Sequence, residues 1–362
     1  MKHEFVVPRL PETLDLIPEN RMTMIPKRSQ IYHEYCFWLH DRIVSKCKEA
    51  DARKLSSVKF KFDDHSKKEE FQKSADPITW LDQNGYENIS EEVTIRQVVL
   101  ALMADATHFL YEGLRALEKR KFSVAFALFR KPFKENLLFL IWILADRSDF
   151  YSRLKDQNPQ KLNSSIPAEK RKEILEAGIK KIDAIFQIYS EDMESYLYDR
   201  SNPISFMSLF DKATHLTTSH KAYATEPLNL NFIFKDPRDN DVYAPEVYNI
   251  IAYGLLCLGA VQSSLITQMT TINEKTELWE KLSAVGTYHS LFVSGRSPYA
   301  QLIKKHLNPA LRCNSCDLKV NVTKKMLPRL LVSEKLYCKK CGFDGEFPFY
   351  WIVSQTMDID ID

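Results

Sequence analysis

The sequence predicts a mainly α-helical protein with a small β module near its C-terminus. Glycine is scarce, with 9 residues in 362, which disfavours a fold built from many tight turns. Apolar residues recur at helical spacing over long tracts, most clearly from Ser90 to Arg120. Residues with high β propensity gather at 319–323 and 347–353. The expected division is a helical domain over 1–307, a β module over 308–356 and an acidic tail over 357–362.

Residues 1–28 are rich in proline, and we expect them to form an extended arm that lies over the helical body. The helical elements follow this arm in chain order. Asp76-Pro77 and Asn84-Gly85 mark turns, and Pro132 should kink or divide the helix that begins near Lys121. Short strands are expected at 58–62 (VKFKF) and within 229–234 (NLNFIF). The expected helices cover 29–52, 90–120, about 121 onward, 137–145, 167–198, 204–219, 246–272, 275–293 and 298–307.

One uncharged stretch, 247–273, must be weighed as a membrane span. It holds several Ser, Thr, Gln and Asn residues, and only 250–261 is consistently apolar. That is too short to cross a bilayer, so we expect a buried core helix and no membrane contact. No secretory signal is visible at the N-terminus. Cys36, Cys47 and Cys257 lie in apolar or helical contexts and are expected to be reduced, which indicates a cytoplasmic protein.

The strongest chemical signal is a pair of CxxC motifs. Cys313 and Cys316 form the first, Cys338 and Cys341 form the second, and 21 residues separate the two pairs. Two such pairs in a reducing compartment are typical of a closed tetrahedral Zn²⁺ site with four thiolate ligands. This segment resembles a zinc ribbon, in which each CxxC lies on a tight turn, and Gly342 would supply a positive φ there. Four thiolates leave no open coordination position, so the metal is expected to be structural.

The segment around these motifs is basic in a nearly neutral chain. The chain carries a net charge of +2, yet 304–341 holds ten basic and two acidic residues. Such a bias favours contact with phosphate backbones. The alternative explanation is a solvated surface whose counter-charge is supplied by the helical domain or the acidic tail. The residues expected to contact nucleic acid are Lys319, Lys324, Lys325, Arg329, Lys339 and Lys340.

A second candidate site lies at the start of the first long helix. Arg28 and His33 fit an R-x4-H spacing, and here the chain resembles the HEPN superfamily of helical bundles, several of which are RNases of prokaryotic defence and toxin systems. The resemblance implies a metal-independent RNase, with a place in antiviral defence. Arg28 would stabilise the phosphate and His33 would act on the RNA 2′-hydroxyl. A surface arginine and a helix-face histidine are the alternative explanation.

The run ALFRKPFKENLLFLIWIL (127–144) resembles the core helix of uncharacterised bacterial helical domains. The resemblance implies Arg130 and Glu135 as a matching pair, one residue off the usual spacing, and His215 and His220 as later partners. A charged cluster at the edge of a core is usually an ion-pair network, but it can also line a polar pocket. No nucleotide-binding, zinc-protease or hydrolase motif is present.

Two functions therefore remain open from sequence. The first is an interaction protein whose zinc ribbon contacts nucleic acid or a protein partner. The second is a HEPN-like RNase. The sequence decides neither the ligand nor whether the protein forms a homodimer.

Overall fold

A computed structural model of the chain describes residues 12–155, 162, 166–231, 237–307 and 311–356. The first part of the arm, part of the 229–234 segment and the acidic tail lie outside the described residues. The described chain is mainly helical, with one two-stranded sheet near the C-terminus. The predicted fold class is confirmed.

The helical body is built from α-helices with two π-helices inserted between them. In chain order, its elements are α1 (Glu19–Met22), α2 (Lys27–Ala52), α3 (His65–Lys73), α4 (Pro77–Gln83), α5 (Glu87–Glu118), α6 (Phe122–Lys131), the first π-helix (Pro132–Asn136), α7 (Leu137–Ala145), α8 (Arg147–Lys155), α9 (Ala168–Ile179), a 3₁₀ turn (Ala184–Phe186), α10 (Ser190–Met193), the second π-helix (Glu194–Tyr198), α11 (Phe206–Thr214), α12 (Pro237–Met269), α13 (Glu274–Phe292) and α14 (Pro298–Leu307).

The C-terminal module contains less β structure than its sequence predicts. Its elements are a 3₁₀ turn (Lys324–Met326), α15 (Leu327–Val332), β1 (Lys335–Tyr337), β2 (Asp344–Glu346) and α16 (Phe349–Thr356). The strands β1 and β2 pair antiparallel, with Leu336 opposite Gly345.

Three expected strands are absent from the described residues. The 319–323 segment contributes only one isolated bridge, from Arg312 to Lys319. The β-forming run 347–353 is mostly helix α16, because its aromatic side chains pack against Trp279 of α13 instead of a neighbouring strand. The 58–62 segment is extended but unpaired. Its two phenylalanine rings pack in an aromatic cluster with Phe71, Trp80 and Tyr86.

The core lies where α2, α5, α7 and α12 meet. Helix α7 is apolar on all sides, as expected, and Leu138, Ile141 and Trp142 are almost completely buried. Each such side chain contributes roughly 1.5–3 kcal/mol by leaving water. Hydrogen bonds between helices fix the packing, including one from Tyr35 Oη to the carbonyl of Ala284 at 2.6 Å.

Pro132 changes the helix that it interrupts without ending it. Proline has no backbone N–H and its ring crowds the preceding turn. The chain responds with a π turn in which the N–H of Leu137 donates to the carbonyl of Pro132. Helices α6 and α7 are therefore joined by a π-helix at the position where Pro132 was predicted to kink or divide the helix.

The expected helix over 167–198 is broken in the structure. Helix α9 ends at Ile179, and Asp183 starts the next short element by accepting from the N–H of Ile185 at 3.0 Å. Lys281 of α13 pairs with the same carboxylate at 2.7 Å. Gln187 then takes a left-handed φ of 49°. A tertiary ion pair therefore holds the chain in a turn where local periodicity favours a helix.

Among the described residues, two helices are long and apolar enough to cross a membrane by length and composition alone: α5 and the Ala244–Met269 part of α12. In the second, 83% of the most apolar window is buried inside the protein, against 33% in α5. Burial by the other helices accounts for the apolar character of α12, as expected for a core helix.

The hydrophobic core continues from the helical body into the C-terminal module. One cluster of buried side chains includes Leu282 and Val285 of α13 together with Leu327, Leu330 and Leu331 of α15. The boundary expected near residue 307 is therefore not a break in the core.

Candidate metal centre

The four predicted cysteines meet at one point. All their sulfur atoms lie within 4.8 Å of one another. The Sγ atoms of Cys313 and Cys341 are 3.6 Å apart, and those of Cys316 and Cys338 are 3.8 Å apart. A tetrahedral site with metal–sulfur bonds of about 2.3 Å has sulfur–sulfur edges of about 3.8 Å, whereas a disulfide requires about 2.05 Å. The arrangement fits a metal site.

The two CxxC turns have the same backbone geometry. In the first, the N–H of Cys313 donates to the carbonyl of Leu318, and the N–H of Asp317 donates to the carbonyl of Cys313, both at 2.9 Å. In the second, Cys338 donates to Phe343 at 2.8 Å and Gly342 donates to Cys338 at 2.9 Å. Each hydrogen bond has a counterpart exactly 25 positions later, so the site is built from two equivalent knuckles.

The fourth residue after each knuckle's first cysteine has a left-handed conformation. Gly342 has φ of 73°, which confirms the sequence prediction, and Asp317 has φ of 53° at the equivalent position. Aspartate tolerates this conformation better than most residues. Arg312 Nη1 supports it by donating to the carbonyl and the carboxylate of Asp317, at 3.0 and 2.9 Å.

Backbone amides also favour the thiolate form that metal binding requires. The N–H of Ser315 points to Cys313 Sγ at 3.4 Å. The N–H of Phe343 and contacts with the other thiols lower the pKa of Cys341 to about 7. The N–H of Leu318 lowers the pKa of Cys316 as well, but burial and the other three thiols outweigh it and raise the value to about 11. A metal held here would be enclosed by four sulfur ligands, with no position left for a substrate. The centre can stabilise the module, and its geometry offers no open catalytic position.

The N-terminal arm ties this module to the helical body. On the body side, the Glu34 carboxylate of α2 accepts the N–H groups of Leu14 and Leu16, at 2.6 and 2.9 Å. On the module side, Arg329 of α15 donates to the carbonyl of Thr13 at 2.6 Å and to Asp15 at 3.1 Å. The described part of the arm therefore holds two parts of the fold together, but it is not extended throughout, because Glu19–Met22 is helical and α2 already begins at Lys27.

Arg329 is consequently not a surface residue. Only 2% of its side chain is exposed, and it also pairs with Asp344 at 2.6 Å. The prediction that Arg329 contacts nucleic acid is wrong, because the charge of its side chain is neutralised inside the protein. The Lys324 ammonium is likewise directed inward, donating to the carbonyls of Val293 and Gly295.

The other four predicted basic residues are exposed. Lys339 and Lys340 lie inside the second knuckle, between its two cysteines, and Lys319 follows the first knuckle. Lys325 lies in the 3₁₀ turn before α15. None of the four has a carboxylate partner among the described residues.

Arg28 and His33 lie on the same helix in different environments. Arg28 is exposed, whereas His33 has no solvent-accessible surface. The imidazole is enclosed by Phe37 and Tyr248, whose rings meet it edge-on. In this conformation His33 cannot reach an RNA strand, so it does not fit the catalytic role that the R-x4-H resemblance implies.

His33 instead belongs to a buried polar network that the sequence analysis missed. Its Nε2 lies 3.5 Å from Glu118, and the Tyr248 hydroxyl lies 3.1 Å from its Nδ1. Arg21 and Arg115 also pair with Glu118. Burial raises the pKa of Glu118, but hydrogen bonds from His33 and Arg21 outweigh it and lower the value to about 2. The sequence signal was an acidic residue at the end of the apolar tract of α5.

The second resemblance set is not brought together as one site. Arg130 is exposed on α6, Glu135 is half-buried in the first π-helix, and the two form no ion pair with each other in the part of the chain that the structure describes. His215 and His220 are exposed beyond α11. The His220 ring stacks on Tyr223 at 4.6 Å, and these histidines take no part in the described metal-compatible cluster.

No protein-family model, curated protein or solved structure matches the chain.

Proposed function

We propose that this protein is a zinc-stabilised helical protein that binds nucleic acid through the exposed end of its C-terminal module. Zinc is supported by the ligand set, since four thiolates in tetrahedral arrangement favour Zn²⁺ over the harder divalent cations. The ion would hold the two knuckles against each other and supply no catalytic chemistry.

The observation that carries nucleic-acid binding is the position of Lys339 and Lys340. Both are exposed, and both occupy the short turn between two metal-ligating cysteines. A bound metal would fix this backbone, so the ammonium groups would be presented from a rigid support. Lys319 follows the other knuckle and is also exposed. Rigid, unpaired cations suit the phosphate backbone, which supplies most of the affinity of sequence-independent binding.

A competing explanation is that these lysines only balance the metal centre. Four thiolates and one divalent cation carry a net charge of −2, which nearby ammonium groups would offset. The two explanations differ in one measurable property. Lysines that serve phosphate release counterions on binding, so the affinity falls steeply with salt.

The test is a salt titration of binding by fluorescence anisotropy. The probes are a labelled single-stranded RNA and a labelled DNA duplex, measured between about 50 and 200 mM salt. The variant K319Q/K339Q/K340Q should reduce the slope of log K against log salt by about 3 on duplex. The control K59Q/K68Q/K73Q makes the same charge change on exposed lysines around α3.

Equal losses in the two triple variants would show that only net charge matters and would reject the proposed surface. Unchanged binding in the first variant would reject it as well. Degradation of the RNA probe, lost in Arg28→Ala, would instead favour the nuclease hypothesis. The burial of His33 gives that hypothesis no support.

A further inference from the structure

A cavity of about 510 Å³ lies where the two π-helices of the body meet, away from the metal centre. Lys134 reaches it from the first π-helix, and Glu194 and Tyr198 reach it from the second. Arg171 of α9, Asp199 and Arg200 complete its charged lining. Its volume is within the range of small-molecule sites.

The two π turns are joined across the wall of this cavity. The hydroxyl of Tyr198, in the second π-helix, donates to the carbonyl of Phe133, in the first, at 3.1 Å, and the bond is buried. In an α-helix that carbonyl would accept from Leu137, whose N–H is used by Pro132 instead. π turns are rare and occur frequently at functional sites. Two of them at one cavity indicate that the backbone is shaped around this space.

Two of the five charged residues that line the cavity neutralise each other. Arg171 forms a two-pronged ion pair with Glu194 and lies 5.0 Å above the Tyr198 ring. The Asp199 carboxylate accepts from the N–H and hydroxyl of Ser201. The ion pair leaves little charge for a ligand, whereas Asp199 keeps its negative charge, because hydrogen bonds from Ser201 do not neutralise a carboxylate.

Lys134 differs from these groups. It has no carboxylate within ion-pair distance among the described residues, although it is half-buried. Burial and the positive charges of Arg130 and Arg200 lower the pKa of Lys134, and the carboxylates of Glu135 and Asp211 partly oppose this shift. Arg200 itself is only weakly compensated, at 3.6 Å from an Asp211 carboxylate that also accepts from Tyr223. The lining of the cavity therefore carries three cations against two carboxylates, and neither Lys134 nor Arg200 is paired with a carboxylate of the lining.

We propose that this cavity binds a small molecule through its phosphate group, with Lys134 contacting the phosphate and Arg200 supplying the second positive charge. A phosphate monoester carries close to two negative charges at neutral pH, which matches two incompletely compensated cations. Ile166, Ala168 and Met207 provide an apolar side to the same cavity, so an organic substituent on the phosphate would also be accommodated. This site is independent of the proposed nucleic-acid surface.

The first test is calorimetric titration of the full-length protein with phenyl phosphate, inorganic phosphate and benzoate. We expect phenyl phosphate to bind with one-to-one stoichiometry, more tightly than inorganic phosphate, and benzoate to bind weakly. Lys134→Met should weaken phenyl phosphate binding about 10- to 100-fold. Lys172→Met is the matched control, because Lys172 is exposed on α9 and does not line the cavity.

A second measurement needs no variant. Formaldehyde condenses with a neutral lysine amine to an imine and water, and cyanoborohydride reduces the imine by hydride transfer. Mass spectrometry of the wild-type protein should show that phenyl phosphate slows the methylation of Lys134 but not that of Lys172. Absence of one-to-one binding, equal losses in both variants, or unprotected Lys134 would each overturn the site. Lys134→Met should leave the salt-dependent binding of nucleic acid unchanged, which separates the two proposals.

Discussion

Arg329 and Asp15 lie 314 positions apart in the chain and form an ion pair of 3.1 Å. The Arg329 guanidinium is almost fully buried, and it forms a second ion pair with the carboxylate of Asp344. Asp15 also accepts from Lys335 at 2.7 Å, but that ammonium is partly exposed. Asp15 of the arm therefore pairs with a buried cation, Arg329, and with a partly solvated one, Lys335. The contributions of these two ion pairs to stability can be compared.

Arg329→Met should destabilise the protein by about 2–4 kcal/mol, because it removes the cation from two carboxylates and from the buried carbonyl of Thr13. Lys335→Met removes an exposed partner of the same Asp15 and should cost less than about 1 kcal/mol. Urea denaturation gives both free energies of unfolding. Similar losses in the two variants would contradict the role assigned to the buried arginine.

The buried His33 side chain should make the stability of the folded protein depend on pH. Burial lowers the pKa of its imidazole below the usual 6.5, so the folded protein holds it neutral while the unfolded chain binds a proton below 6.5. The free energy of unfolding should therefore be largest above that pH and fall as acid is added, by up to about 1.4 kcal/mol per pH unit from this group. Urea denaturation between pH 7.5 and 5 measures the slope.

His33→Gln should flatten this part of the pH profile, whatever it costs in stability at neutral pH. The matched control is His65→Gln, since His65 is exposed on α3 with 82% of its side chain accessible. An unchanged slope in His33→Gln would show that other groups set the pH dependence. Glu118 adds a second loss at lower pH, between its usual 4.5 and about 2, because its pKa is also lowered in the fold.

The metal centre was predictable because its signal is local. The CxxC spacing alone brings two thiols to one turn, and Gly342 was recognised from the conformation that such a turn requires. The body helices were predictable for a similar reason, since their apolar periodicity is read from neighbouring residues.

The functions of individual charged residues were not predictable in this way. Arg329 reads as one of ten basic residues in a surface stretch, and its burial depends on an arm at the other end of the chain. The helix at 349–356 contradicts its local β propensity because Trp279 offers a packing surface. The cavity around Lys134 depends on two π turns that no local sequence pattern predicts. Pro132 indicated only that the helix would be interrupted near the first of them.

Zinc should be released from the protein in a ratio of about one ion per chain, and Cys338→Ser should abolish its tight binding. Because the core continues from α13 into α15, loss of the metal should lower the stability of the whole protein and not only of the module. A colorimetric zinc assay after thiol modification measures the ratio, and thermal unfolding measures the stability.

Cys47→Ala is the control for that experiment, because Cys47 is a half-buried free thiol away from the metal centre. It should retain the full zinc content. A protein purified without zinc or another thiophilic metal, and equally stable with Cys338→Ser, would refute the structural role of the centre.

Substitution of alanine for glycine should have opposite effects on stability at two helical positions. A Cβ on Gly178 of α9 would lie 2.9 Å from the backbone oxygen of Ile141 in α7 and 2.5 Å from its side chain. Gly178→Ala should therefore cost about 1–3 kcal/mol by forcing the helices apart. A Cβ on Gly259 of α12 would meet only Ile43, at an ordinary 3.8 Å. Gly259→Ala should be neutral or stabilising by up to about 1 kcal/mol, because alanine loses less backbone entropy in a helix. Urea denaturation of the two variants checks the sign of each change, and a Gly178→Ala variant as stable as the unchanged protein would contradict the close contact between α7 and α9.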